Sequence, residues 1–132
     1  MRKTSRILFL HAAFLLTGSA QAEWFQLGRT ENFRVYLDQS SLRRNGDFVQ
    51  SVQLMDFTTA QWVDERHVVG SLKSVVEYDC TQPRARTLTL EATSEQMGEG
   101  RVVSFDKIDN PQWETLPAKS TAESTWKLIC RK

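Results

Sequence analysis

The chain has 132 residues, with 17 basic and 16 acidic side chains and a formal net charge of +1. That length suits one domain with a real but modest core. A charge this close to zero gives no electrostatic drive toward nucleic acid or an anionic membrane surface.

The first segment changes every later count. Arg2, Lys3 and Arg6 form a basic start without an acidic residue, and Ile7 to Leu16 follows as an apolar run broken only by His11. The run falls short of the roughly 20 apolar residues needed to span a bilayer. Ala20-Gln21-Ala22 then gives the small-x-small pattern of a signal peptidase site. Cleavage between Ala22 and Glu23 is expected, with 1–22 as leader and 23–132 as a single domain. Loss of the three leader cations leaves 14 basic against 16 acidic residues. No cysteine lies near the cleavage site, so no lipid anchor is expected, and no later segment is long and apolar enough to serve as one.

The domain reads mostly as strands. Trp24 to Leu27 reads as a short one, followed by a polar turn from Gly28 to Asn32. Phe33, Val35 and Leu37 then alternate with Arg34, Tyr36 and Asp38, the period of a half-buried strand. Asn45-Gly46-Asp47 is a turn signal. The run from Phe48 to Phe57 carries apolar groups on both faces, as in a strand covered on each side. In Ser71 to Cys80, the residues Leu72, Ser74, Val76, Tyr78 and Cys80 share a face. Pro83 interrupts, and Arg84 to Thr93 alternates again, with Leu88, Leu90 and Ala92 on one side and threonines on the other. Simple alternation puts Arg84 and Arg86 on the leucine side. Met97 to Gly100 reads as a flexible turn, and Arg101 to Phe105 as a further strand.

The period changes at the end. Ser120 with Glu123 fits a capping box, and Ala122, Trp126, Ile129 and Cys130 form one helical stripe. The fold class is therefore α+β: an antiparallel meander of about six strands with a C-terminal helix on one face. Cys80 ends the inward row of its strand and Cys130 lies on the helical stripe, so the two can meet. In an oxidising compartment a disulfide is the expected outcome. The competing reading, a redox or metal pair, finds no CxxC spacing and one histidine, His67, in the exported part.

Catalytic signals are sparse. Asp64 or Glu65 could orient His67 as a base, and Ser71 or Ser74 could be imagined as nucleophile, but no nucleophile-elbow glycines surround either serine. Asp106 and Asp109 lack the ordered ligand spacing of a calcium loop. No enzymatic role and no cofactor are expected. Arg84 and Arg86 leave two readings open: ion pairs with Glu77 and Asp79, or a recognition site for carboxylates or sulfated sugars. Trp24, Trp62 and Trp113 lie near strand ends or in loops, where any exposed one is a candidate contact.

The ordered set Glu77-Tyr78-Asp79-Cys80, Arg84-x-Arg86-x-Leu88, Met97-Gly98-x-Gly100-x-Val102-Val103, Trp113, Pro117 and Cys130 resembles the surface-adhesin protein E family. Val35-Tyr36-x-Asp38, Ser41-Leu42 and Asp56 extend the resemblance toward the N-terminus. It implies an antiparallel sheet with a C-terminal helix in a bacterial envelope protein. It also implies binding of host extracellular-matrix or plasma proteins, with dimerisation and haem association known in the family. The expected function is thus an exported, non-enzymatic, adhesin-like binding protein, working through sheet and loop surface. The alternative is a periplasmic inhibitor or small-ligand binder.

Overall fold

The computed structural model describes residues 21–131. Most of the expected leader lies outside the described residues, whereas Ala22 and Glu23 lie within them. Six strands follow one another as an antiparallel meander: β1 Trp24–Arg29, β2 Phe33–Asn45, β3 Phe48–Trp62, β4 Val68–Asp79, β5 Arg84–Thr93 and β6 Val102–Lys107. A short seventh strand, β7 Glu114–Thr115, pairs with the start of β5. The chain ends in one helix, α1 Thr121–Ile129. The expected fold class holds, and only the two-residue β7 left no periodic signal in the sequence.

Local chemistry sets the connections. Asn45 pairs with Phe48, so Gly46 and Asp47 alone turn the β2–β3 hairpin. Gly46 has a φ of +60°, the conformation such tight hairpin turns need in their first loop position. Ser120 caps α1 as expected, its hydroxyl accepting from the Glu123 N–H at 3.1 Å.

The two faces of the sheet are covered at opposite ends. On one face α1 packs at the β4–β5 turn, closing a core of Leu37, Val49, Tyr78, Ala85 and Ile129. The Cys80–Cys130 disulfide joins the end of β4 to the end of the helix, with Cα atoms 5.4 Å apart. The Trp126 indole N–H donates to the Asp79 carbonyl at 2.7 Å. On the reverse face, at the far end, a 3-10 turn at Gln96–Gly98 lies over Leu54, Asp56 and Ser71. This segment is not the free turn its glycines suggested. Asp56 accepts from the Met97 N–H at 2.6 Å, Ser71 accepts from the Gly98 N–H at 2.8 Å, and Gln96 donates to the Phe57 carbonyl at 2.7 Å. Gly70 makes the close approach feasible, since a Cβ there would stand 2.3 Å from the Glu95 carbonyl carbon.

One bulge corrects the alternation assigned to β5. Val76 faces Thr87 and Val75 faces Thr89, which leaves Leu88 as an extra residue. Arg84 and Arg86 therefore lie opposite Asp79 and Glu77 on the reverse face, and Leu90 and Ala92 lie opposite Ser74 and Leu72 on the helix face. The bulge keeps two guanidiniums off the apolar side, where unpaired charge is costly.

Candidate functional site

Among the described residues, each face has one half that neither α1 nor the 3-10 turn covers, and each such half carries a cluster of distinctive side chains. The first lies on the reverse face near the disulfide. Arg84 Nε donates to Asp79 Oδ2 at 2.9 Å, and Arg86 reaches Glu77 Oε1 through both Nε at 2.8 Å and Nη2 at 2.7 Å. Glu77 Oε2 accepts from Gln50 Nε2 at 3.1 Å. Both guanidiniums lie over the Trp113 ring, 4.6 and 4.3 Å from its centroid, and Trp113 stacks on Phe48 at 5.7 Å. The pairing β7–β5 brings Trp113 there: Thr115 lies opposite Arg84.

Asp79 is only 2% exposed. Burial pushes its carboxyl up, but the Thr81 hydroxyl, the Thr81 N–H and Arg84 outweigh it and hold it below the usual carboxylate range. Of the two readings for Arg84 and Arg86, the ion-pair geometry is the one observed. Both arginine side chains remain about a third exposed. Trp113 and Phe48 are partners that the sequence did not join to the arginines, because their contact depends on β7, which is two residues long.

The second cluster lies on the helix face beyond the reach of α1. There Phe57, Val69, Leu72, Ala92 and Val103 line an apolar groove of about 460 Å³. The β3–β4 hairpin overhangs it, carrying Trp62, 71% exposed, and Val63, 59% exposed. Asp64 and His67 stand at the groove. Asp64 Oδ1 accepts from the N–H groups of Arg66 at 2.7 Å and His67 at 2.9 Å, while Oδ2 meets His67 Nδ1 at 2.6 Å. These bonds, the Arg66 N–H first, lower the Asp64 carboxyl from its ordinary value.

This pair resembles the base and orienter of a catalytic site, but a nucleophile is not joined to it. Ser71 is fully buried and engaged with Thr93 and the Glu95 carbonyl, both at 2.7 Å. Ser104 lines the groove, yet among the described residues no hydrogen bond links His67 to a serine. Nor is there a group of three or more acidic, histidine or cysteine ligands that could hold a metal among the described residues. The arrangement offers an apolar concavity with one polar rim, suited to burying apolar side chains or a small apolar ligand.

The fold defines a class: a small disulfide-pinned domain built on a single antiparallel sheet with one C-terminal helix. The chain belongs to the surface-adhesin protein E family, whose family model matches residues 24–131. Comparison with solved structures gives the same fold at low identity. The crystal structure of protein E from non-typeable Haemophilus influenzae superposes with a TM-score of 0.67 at 14% identity, covering 86% of this chain and 78% of that one. A further structure of Haemophilus influenzae protein E gives a TM-score of 0.68 at 14% identity, covering 85% and 86%. No curated protein matches the sequence significantly. No helix among the described residues is long and apolar enough to cross a membrane.

Proposed function

We propose that the chain is exported by cleavage after Ala22 and works as a non-enzymatic, adhesin-like protein-binding module of the bacterial envelope. Family membership supports the class. The observation that carries the binding surface is the overhanging β3–β4 hairpin: Trp62 and Val63 stand exposed beside an apolar groove. Exposed aromatic and aliphatic groups rimmed by polar ones mark protein contact surfaces, and Trp is among the residues enriched at binding hot spots. The partner is a protein with apolar side chains to place in the groove, either a host extracellular-matrix protein or another envelope protein.

A second reading has its own support. The groove volume falls in the roughly 300–1,000 Å³ range of small-ligand sites, so a periplasmic binder of a small apolar ligand is the alternative. Protease treatment of intact cells and of cells with a permeabilised outer membrane separates the two settings. Digestion on intact cells, with matrix-protein binding that Trp62→Ala abolishes while melting is unchanged, is the expected result. Protection until permeabilisation, with no binding to any matrix protein, favours the periplasmic reading.

A further inference from the structure

The expected cleavage point and the fold meet at one carboxylate. Glu23 is the residue just before β1, and its backbone N–H donates to Asp38 Oδ1 at 3.0 Å. Its carbonyl accepts from the Gln39 N–H at 2.9 Å. Glu23 is therefore held at both backbone groups, in line with the pairing of Trp24 with Asp38. Asp38 is 9% exposed. The same Oδ1 also accepts the Ser40 N–H at 3.0 Å and the Ser40 hydroxyl at 2.5 Å.

In the uncleaved chain the Glu23 nitrogen is a neutral amide. Signal peptidase hydrolyses the Ala22–Glu23 peptide bond: water supplies the hydroxyl for the Ala22 carboxylate, and the Glu23 nitrogen leaves as an amine that takes up a proton. That nitrogen already stands at hydrogen-bond distance from a mostly buried carboxylate. We propose that Asp38 is the binding site for the α-ammonium of the mature chain, so that leader cleavage turns a hydrogen bond from an uncharged amide into an ion pair and locks edge strand β1. This rests on cleavage after Ala22, as read above.

The surroundings suit a cation. The carboxylate carries charge before and after cleavage, and cleavage adds a positive charge to the donor, whose attraction to the carboxylate is stronger in low-dielectric surroundings than in water. The residues paired with Asp38 on β1 and β3, Trp24 and Val52, carry no charge. Arg43, farther along β2, is the cation already acting on Asp38, and the Glu23 side chain adds a second carboxylate beside the new terminus. Placing the terminus here also makes the first residue of the mature chain part of the sheet. Any extra residue at the N-terminus would return the nitrogen to an amide.

The test compares the exported protein with a form carrying two extra residues between the cleavage site and Glu23. Mass spectrometry of the exported protein first establishes the terminus; any residue other than Glu23 overturns the proposal through its premise. With Glu23 established, the extension is expected to lower Tm by roughly 4–8 °C, the shift that about 1 kcal/mol produces in a domain near this size. Asp38→Asn is expected to cost more in the authentic form than in the extended form. Equal losses in the two forms, or an extension with no effect, overturn the proposal directly. Should Asp38→Asn fail to fold, NMR titration of the wild-type α-amine decides. A pKa above the ordinary α-amino range of about 7.7–8.0 supports the pair, and one within or below that range refutes it.

Discussion

Asp38, Asp64 and Asp79 make the same local hydrogen bond at three irregular points: the register shift inside β2, the β3–β4 turn and the end of β4. Each carboxylate accepts the N–H of the residue two positions on, Ser40, Arg66 and Thr81 respectively, which fixes the backbone where regular pairing is interrupted or ends. Asp79 does more, because it also holds Arg84 against Trp113. Asp79→Ala strands the Thr81 donors and one guanidinium, and a loss of about 1–3 kcal/mol in denaturant unfolding is expected. The pH dependence has a definite sign. Asp38 and Asp79 are both held below the ordinary carboxylate value in the fold. The stability they contribute is therefore complete above the unfolded carboxylate pKa of about 3.9 and is lost as pH falls through the lower folded values. Melting followed from pH 7 downward should stay level until that region and then drop. Asp79→Asn should flatten part of the drop.

Among the elements, α1 depends on a few identifiable tertiary contacts. It has nine residues, fewer than the roughly 12–15 at which an isolated helix becomes even marginal in water. Its place is fixed by Ile129 in the core, by the Trp126 indole on the Asp79 carbonyl and by the disulfide. The disulfide spans 50 residues, and Cys80→Ala is expected to lower stability by about 2–4 kcal/mol. Hydrogen exchange after reduction should show α1 losing protection before β3 and β4. The 3-10 cover at the other end depends on Gly70. Gly70→Ala pushes a methyl into the Glu95 backbone, and a loss of about 1–3 kcal/mol is expected, with exchange rising first at Met97 and Gly98. Unchanged exchange there would show that the cover rests on something other than this close approach.

For the whole molecule, the decisive feature is that, among the described residues, α1 and the 3-10 turn cover opposite faces of one sheet at opposite ends. The covered ends and the Trp113 cluster supply stability, and the groove beside the β3–β4 hairpin supplies surface. Trp62, on the overhang, makes little of the core, so Trp62→Ala should leave unfolding free energy within about 0.5 kcal/mol of wild type. Any binding it removes is then binding and not folding. Trp113 provides the contrast. Trp113→Ala removes two cation–π contacts of about 0.5–1 kcal/mol each and a stacked ring, so it should lower stability measurably in thermal melts.

Strand and helix identities were legible because period-2 and period-3.6 patterns are local properties of the chain. Phe33-Val35-Leu37, Leu72 to Tyr78 and the Trp126-Ile129-Cys130 stripe were each read as the structure has them. The disulfide followed, because both cysteines ended inward-facing rows. The Asp-x-Ser and Asp-x-Thr cues at Asp38 and Asp79 were present in the sequence but were hidden by strand alternation, which put Asp38 on the solvent side. Other features had no local signal. The bulge at Leu88 depends on register with β4, the stack of Trp113 on two arginines depends on β7, and the groove depends on where a short helix stops. Sequence alone determined the strand and helix periods outside the β5 bulge and which cysteines can meet, since periodicity is written along the backbone. Tertiary structure alone decided which half of each face stays open, since that is set by the lengths and stopping points of elements far apart in the chain.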